Sequence, residues 1–415
     1  MSKEMKDSGI EWIGEIPIDW AVTNIGRLFE VKAGGDAKVD LYSDKKDEEH
    51  PYPVYTNTTV SNQVYAYTSL PVFDENTITV TGRGEVGRAF FRKEKYDAII
   101  RLLVLKPKLR LDSRYYTYWI DSVIVFFTNS AAIGQLSAQQ ILPYKACFLP
   151  YREQQKIADF LDEKCAEIGN VFEKIRASIE EYKKLKQAVI TQAVTKGIRD
   201  DREIKDSGIE WNNKIPVEWS SINPKALFRQ RKDRAFEGEQ QLTASQQYGI
   251  MYQSDYMELT GTKVVTVEKD FDILKHVEAG DFVISMRSFQ GGLEYSELSG
   301  SISSAYVMLD PNLELVYPRF YRWLLKSEVY IRALQSTSNM VRDGQAMRYS
   351  NFSQVRLYIV PMEEQEEIAR YLDEKCTVID DIIGKKEQYL SEIENYKKSL
   401  IYEYVTGKKE VPQEF

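Results

Sequence analysis

Two stretches of the chain, residues 152–196 and 363–405, place an apolar residue at every seventh position. This spacing is typical of long helices that pack along a seam, and each seam needs a partner helix to cover it. In the first stretch these residues are Leu161, Ile168, Ile175, Tyr182 and Val189. In the second they are Leu372, Ile379, Ile393 and Leu400. Lys386 interrupts the second series, so we expect two helices of roughly 65 Å whose contact loosens at Lys386.

The other residues form short apolar runs separated by Pro, Gly, Asn and Asp, which indicates strands joined by turns. Residues 72–80 and 98–105 are predicted strands, and residues 113–129 carry apolar side chains at helical spacing. The predicted fold is α+β, with two similar globular domains separated by two long helices that pack as an antiparallel coiled coil. The predicted parts are a first domain at 1–150, a central helical spacer at 151–204, a second domain at 205–360 and a C-terminal helical spacer at 361–415.

The chain contains two copies of one sequence pattern. Residues 6–12, Lys-Asp-Ser-Gly-Ile-Glu-Trp, return as residues 205–211, a shift of 199 positions. Residues 161–165, Leu-Asp-Glu-Lys-Cys, return as residues 372–376, a shift of 211 positions. A repeat of this length is the size of a whole domain with its linker. The duplication favours pseudo-two-fold symmetry and antiparallel helices, although the second domain could also connect a parallel pair.

A molecule with two similar halves suits a ligand with two similar halves, and duplex DNA is the commonest such ligand. The net charge of −8 is unfavourable for DNA, but residues 361–415 alone carry 8 basic and 14 acidic groups. Residues 83–114 instead hold 10 basic and 4 acidic groups, a local charge of +6. A basic stripe of this kind can contact phosphates. The alternative interpretation is a solvated surface of mixed charge.

A shift of 204 positions aligns residues 78–84 with residues 282–288, so each half has a strand that runs into an arginine-bearing loop. A loop arginine can bind the O6 and N7 atoms of guanine, or it can form an ion pair within the fold. Loops at residues 129–137 and 339–350 are rich in amide, hydroxyl and, in the second half, arginine side chains. The candidate DNA-contacting residues are Arg83, Arg88, Arg92, Asn129, Gln135, Ser137, Gln246, Tyr248, Arg287, Ser288, Gln290, Arg342, Gln345 and Arg348.

Signatures of catalysis are weak in this sequence. Residues 82–87 match the dinucleotide pattern Gly-x-Gly-x-x-Gly. The residues that follow predict a strand, whereas a bound phosphate needs a helix N-terminus. The chain has two histidines, no Walker A loop and no Asn-Pro-Pro-aromatic motif of amino-methyltransferases. We therefore expect no catalytic residue, metal or cofactor in this chain.

The three cysteines, Cys147, Cys165 and Cys376, lie in apolar surroundings of the sequence, and we expect packed, reduced thiols. The first seven residues are polar and charged, and no apolar run reaches the ~18 residues of a membrane helix. Together these features predict a cytoplasmic protein.

Three repeated motifs resemble the specificity subunits of type I restriction-modification systems. The first is Asp-Ser-Gly-Ile-Glu-Trp followed by Ile-Pro and Trp, at residues 7–20 and 206–219. The second is Pro-x-x-Glu-Gln at the start of each long helix, at residues 150–154 and 361–365. The third is the pair of helix exits, residues 193–197 and 404–407. The likeness extends over essentially the whole chain.

The resemblance implies two target-recognition domains, each reading one half of a bipartite site in double-stranded DNA. It also implies that the helices act as a spacer and as a docking surface for two methyltransferase subunits, and that restriction subunits join the complex. S-adenosylmethionine, ATP and Mg would then be bound by the partner subunits. Two other interpretations remain open at this point: a coiled-coil scaffold with two protein-binding domains, and an enzyme that uses the glycine-rich turn.

Overall fold

The computed structural model describes residues 4–60, 63–126, 135–267, 273–285, 288–337 and 347–413. The chain divides into two compact units. Unit 1 combines residues 1–175 with residues 387–415, and unit 2 is the continuous segment 176–386. Each long helix is therefore shared between the units.

Unit 1 consists of short strands and helices followed by the first long helix. Its strands are β1 (Met5–Asp7), β2 (Glu15–Pro17), β3 (Ala21–Asn24), β4 (Phe29–Ala33), β5 (Tyr42–Ser43), β6 (Tyr52–Tyr55), β7 (Ala66–Thr68), β8 (Thr77–Val80), β9 (Ala89–Arg92), β10 (Asp97–Ala98), β11 (Leu103–Pro107) and β12 (Lys145–Phe148). Its helices are α1 (Ile25–Leu28), α2 (Ser113–Ser122), α3 (Ala138–Ile141) and α4 (Tyr151–Lys196), with a 3₁₀ turn at Val39–Leu41.

The central sheet of unit 1 is antiparallel, with the strand order β4-β11-β8-β9. Leu105 of β11 lies opposite Val31 of β4 on one side and Ile78 of β8 on the other. Both Leu105 and Ile78 are fully buried, which places the core against this sheet. A second sheet, of order β10-β6-β7-β5, contains the parallel pair β10 and β6.

Unit 2 repeats this plan and leads into the second long helix. Its strands are β13 (Ile204–Asp206), β14 (Lys214–Pro216), β15 (Ser220–Ile222), β16 (Phe228–Arg231), β17 (Leu242–Ser245), β18 (Gly249–Tyr252), β19 (Lys275–Val277), β20 (Phe282–Ile284), β21 (Glu294–Tyr295), β22 (Gly300–Ile302), β23 (Val307–Pro311) and β24 (Leu357–Ile359). Its helices are α5 (Pro224–Leu227), α6 (Gln253–Thr260), α7 (Ser288–Gly291), α8 (Pro318–Leu325), α9 (Glu328–Ser336), α10 (Tyr349–Phe352) and α11 (Met362–Val405).

The sheet order β16-β23-β20-β21 of unit 2 matches β4-β11-β8-β9 of unit 1 strand for strand. The duplication seen in the sequence is therefore a duplication of the fold. The two units differ beside the central sheet, since unit 2 has the pairs β17–β18 and β19–β22 where unit 1 has its second, four-stranded sheet.

The long helices pack antiparallel within each unit, as predicted. In unit 1 the beginning of α4 meets the end of α11, and the rings of Phe160 and Tyr404 lie 4.5 Å apart. In unit 2 the later part of α4 meets the first half of α11, and Lys186 Nζ lies 2.6 Å from Asp380 Oδ2. Lys386 Nζ lies 5.5 Å from the centre of the Tyr182 ring. A cation–π contact thus occupies the position where we expected looser packing.

The repeated Pro-x-x-Glu-Gln motif joins each long helix to its globular part. The buried Gln154 amide accepts a hydrogen bond from the Asp112 N–H at 2.9 Å and donates to the Leu149 carbonyl at 2.8 Å. Gln365 makes the same bonds in unit 2, accepting from the Tyr317 N–H at 2.7 Å and donating to the Val360 carbonyl at 2.8 Å. These bonds satisfy backbone groups that would otherwise be buried without a partner.

The glutamate of the same motif binds the tryptophan of the other repeated motif. Trp20 donates its indole N–H to Glu153 at 3.2 Å, and Trp219 donates to Glu364 at 3.1 Å. Two sequence motifs that are distant along the chain thus form one structural contact, once in each unit.

Three predicted elements differ from those in the structure. The run 98–105 is not one strand, because β10 ends at Ala98 and β11 begins at Leu103, with a turn between them. Within the run 72–80 only residues 77–80 form a strand, and the helix predicted at 113–129 ends at Ser122.

Candidate nucleic-acid interface

In unit 1, three loops meet at the side chain of Asn57, which follows β6. Its Oδ1 accepts hydrogen bonds from the N–H groups of Gly82 at 2.7 Å and Arg83 at 3.2 Å. Its Nδ2 donates to the carbonyl of Ile100 at 2.6 Å. One amide side chain therefore fixes the loop after β8 against the turn between β10 and β11.

A fourth segment joins this cluster. Gln135 pairs with Arg83 in an isolated antiparallel bridge, and the Leu136 N–H donates to the Gly82 carbonyl at 2.9 Å. The predicted residues Arg83 and Gln135 are thus adjacent, and both are exposed. Ser137 lies next to them but is half-buried. Its hydroxyl accepts a hydrogen bond from the Gln140 N–H and caps α3.

The structure places the arginines of the 83–114 stretch in different surroundings. Arg88, Arg92 and Arg114 are used within the fold. Arg88 Nη2 lies 3.5 Å from Asp121 Oδ2. Arg114 Nη2 lies 2.7 Å from Asp112 Oδ2, and its Nη1 reaches two carboxylates of α4.

Arg92 is the most enclosed of these groups, with 4% of its surface exposed. Its guanidinium lies 3.5 Å from the centre of the Tyr55 ring, and its Nε donates to the Thr79 hydroxyl at 2.9 Å. Burial lowers the pKa of this guanidinium from its ordinary value. Because Arg92 is covered in this way, its guanidinium is part of the fold's interior and does not lie at the surface.

Arg83 and Arg101 differ from these three arginines. Both side chains are exposed. Neither has an ion-pair partner among the residues that the structure describes. Their guanidinium groups are therefore available to a ligand, and they stand on the two loops that Asn57 holds together.

In unit 2, the Gln246 side chain lies beside Gly291, the residue that follows Gln290. A Cβ atom added at Gly291 would lie 2.8 Å from the Gln246 side chain, so Gln246 covers this position closely. Gln246, Gln290 and Tyr248 are exposed. Ser288 is fully buried, and its hydroxyl accepts a hydrogen bond from the Ser285 N–H at 2.9 Å.

Arg348 is exposed at the start of α10, where its N–H donates to the Asn351 side chain at 3.1 Å. The four other candidates, Asn129, Arg287, Arg342 and Gln345, lie outside the described residues. Asn57 and Arg101 are the residues that the sequence did not single out. Arg101 lies inside the basic stretch, but we had placed it within a strand, and a single Asn after a strand gives no distinct signal.

The glycine-rich turn at residues 82–87 connects two strands of the central sheet, β8 and β9. It therefore lacks the helix N-terminus that a dinucleotide phosphate requires. Over the described ranges, no three His, Cys, Asp or Glu side chains are grouped so that they could hold a metal ion. No helix in the same ranges is both long and apolar enough to cross a membrane.

Comparison with known proteins gives a consistent result. Residues 17–181 match the family model described as the type I restriction modification DNA specificity domain. The C-terminus of a putative type I specificity subunit from Mycoplasma pneumoniae is 31% identical over 111 residues, which cover 27% of this chain and 76% of that sequence. A putative type I restriction enzyme specificity subunit from Methanocaldococcus jannaschii is 22% identical over 95% of both chains.

The fold is also similar to that of a solved chain described under complex assembly and conformational transition of the type I restriction-modification system. The TM-score is 0.68 at 11% sequence identity, and the match covers 95% of this chain and 99% of the solved one. At this identity the likeness concerns the fold alone.

Proposed function

Because the chain belongs to the family of type I restriction-modification specificity subunits, we propose that each of its two units reads one half of a bipartite DNA sequence. Specificity subunits recognise DNA and leave catalysis to other subunits, so this chain is a DNA-recognition protein. The assignment of one half-site to each unit rests on one observation. The same four-stranded sheet occurs once in each unit, while the segments beside it differ.

This combination fits two readers that share a frame and read different sequences. In unit 1 the segments beside the sheet present exposed arginine side chains that have no ion-pair partner among the described residues. Arginine is the side chain best suited to guanine edges and to phosphates. The scaffold interpretation receives no comparable support, since the relatives found are specificity subunits.

We further propose that the chain acts in the cytoplasm in a complex with two methyltransferase subunits, which restriction subunits join. S-adenosylmethionine, ATP and Mg would be bound by those partners. The paired helices α4 and α11 would set the number of base pairs between the half-sites. The family resemblance supports this division of labour.

The decisive experiment is to co-express the full chain with its methyltransferase subunit in a host whose DNA has no adenine methylation. Modified adenines are then mapped by single-molecule sequencing of the genome. We expect methylation at one sequence made of two short specific parts separated by a fixed number of unspecified base pairs. Methylation that ignores sequence, or that follows a single continuous motif, would contradict the proposal.

A further inference from the structure

The turn between β10 and β11 has an unusual backbone. The Leu102 N–H donates to the Ile99 carbonyl at 3.2 Å, which closes a four-residue turn. Its two central residues both have positive φ angles, 55° at Ile100 and 62° at Arg101. Turns of this type strongly favour Asn and Gly at these positions. A β-branched residue such as isoleucine is a genuine outlier in the left-handed region.

Several hydrogen bonds from outside the turn hold it in this conformation. The Ile99 N–H donates to the Tyr55 carbonyl at 3.0 Å, and the Ile100 N–H donates to the Gly35 carbonyl at 2.9 Å. The Ile100 carbonyl accepts the bond from Asn57. Strained conformations persist only where their surroundings over-determine them, and they concentrate at functional sites.

This strained conformation places the side chains of Ile100 and Arg101 at the surface. Ile100 is 44% exposed, which is unusual for a residue between two buried aliphatic neighbours, Ile99 and Leu102. Arg101 is exposed beside it and has no ion-pair partner among the described residues. An exposed arginine next to an exposed aliphatic side chain can bind guanine and contact a neighbouring thymine methyl group.

We propose that Arg101 reads a base edge in the half-site bound by unit 1, and that Asn57 is the positioning residue that aims Arg101 and Arg83 at the DNA. Asn57 suits this role because its single side chain bonds both the Arg83 backbone and the Ile100 carbonyl. The proposal rests on the proposed function, since it identifies residues that would determine one half-site.

The test uses the full chain with its methyltransferase subunit and the methylation map described above. Arg101→Gln should reduce discrimination at one base pair of one half-site by about 5- to 150-fold, the range for a lost bidentate contact. The other half-site should stay unchanged. Arg101→Lys should lose the same discrimination, because lysine keeps the charge but not the two-pronged geometry. Arg27→Gln, at an exposed position of the same unit outside the basic stretch 83–114, is the matched control.

The role of Asn57 is tested with two variants. Asn57→Ala removes all three bonds and should relax specificity at the same base pair as Arg101→Gln. A purely structural role would instead lower activity without changing the recognised sequence. Asn57→Asp keeps the acceptor for the Gly82 and Arg83 N–H groups and loses the donor to the Ile100 carbonyl. It should therefore also relax specificity at that base pair. Thermal melting of each variant separates loss of folding from loss of specificity.

The outcomes distinguish this inference from the proposed function. If the unaltered chain directs no methylation to a bipartite site, the proposed function fails. If it does, and both Arg101 variants keep the original motif as Arg27→Gln does, base reading by Arg101 fails by itself. A uniform loss of methylation at all sequences would mark Arg101 as a phosphate contact and would also overturn the inference.

Discussion

The buried amide of Gln154 offers a direct test of how the long helix is joined to the globular part of unit 1. Gln154→Leu keeps a side chain of similar size but removes the acceptor for the Asp112 N–H and the donor to the Leu149 carbonyl. Both partners lie in buried surroundings, so each is left without a hydrogen bond. An unsatisfied buried polar group costs about 1–3 kcal/mol, which gives a loss of about 2–6 kcal/mol in the unfolding free energy of unit 1.

Urea unfolding followed by tryptophan fluorescence measures the loss, and hydrogen exchange locates it. We expect faster exchange at the start of α2, where the Asp112 N–H lies. Gln388→Leu is the matched control, because Gln388 belongs to the same unit but is exposed on α11, where its side chain bonds Glu392. It should change stability by no more than about 0.5 kcal/mol.

Gln365→Leu repeats the experiment in unit 2, where faster exchange is expected near Tyr317, at the start of α8. A loss of less than about 1 kcal/mol in the unfolding free energy of Gln154→Leu would contradict this role of Gln154, because 1 kcal/mol is the lower limit for even one unsatisfied group. Unchanged exchange at the start of α2 would refute it equally.

Three further predictions follow from buried groups and from the helices. Arg202→Ala leaves the Glu364 carboxylate, whose side chain is 2% exposed, without its ion pair. The unfolding free energy measured in urea should fall by about 3–5 kcal/mol, and adding Glu364→Gln should recover part of this loss. Burial raises the pKa of the Cys147 thiol to about 12, so the thiol is neutral at pH 8, and iodoacetamide should modify Cys147 and the buried Cys376 only after unfolding; equal rates in folded and unfolded protein would contradict this. Removing seven residues from each long helix shortens it by about 10 Å, which is close to the length of three base pairs. The number of unspecified base pairs between the two methylated half-sites should then decrease, or binding should be lost. An unchanged spacer would exclude the helices as its determinant.

The sequence predicts the helical part of the structure well because the relevant signals are local and periodic. Apolar residues at every seventh position mark both long helices. Gly197 and Gly407 follow the helix ends and adopt φ angles of 76° and 72°, which end a helix without steric cost. The duplication supplies the antiparallel arrangement, since two equivalent halves are related by symmetry. These elements agree with the structure.

The turn at residues 99–102 shows what the sequence cannot specify locally. Its residues are mostly aliphatic, like those of the neighbouring strand, so the whole run has the composition of one strand. The positive φ angles of Ile100 and Arg101 depend on bonds to Gly35, Tyr55 and Asn57, which are more than 40 residues away along the chain. Such long-range constraints override local propensity and leave no pattern near the turn itself.

The candidate site shows the same limit. Arg83, Arg88 and Arg92 are equivalent in the sequence, but the structure places Arg83 at the surface, pairs Arg88 with Asp121 and buries Arg92 against Tyr55. The difference depends on the groups that pack around each side chain in the folded chain. Contact with DNA stays a prediction for each candidate residue.

The sharing of the long helices between the units has a consequence for protein synthesis. Unit 2 is one continuous segment, so it can fold as soon as residue 386 has left the ribosome. Unit 1 must wait for the end of α11, because Leu400, Ile401, Tyr404 and Val405 belong to the same hydrophobic core as Trp20 and Trp119. Phe160 and its neighbour Tyr404 are separated by 244 residues. At ~5–20 residues per second, this delay lasts about 12–50 s. The half of the molecule that the ribosome makes first is the half that is completed last.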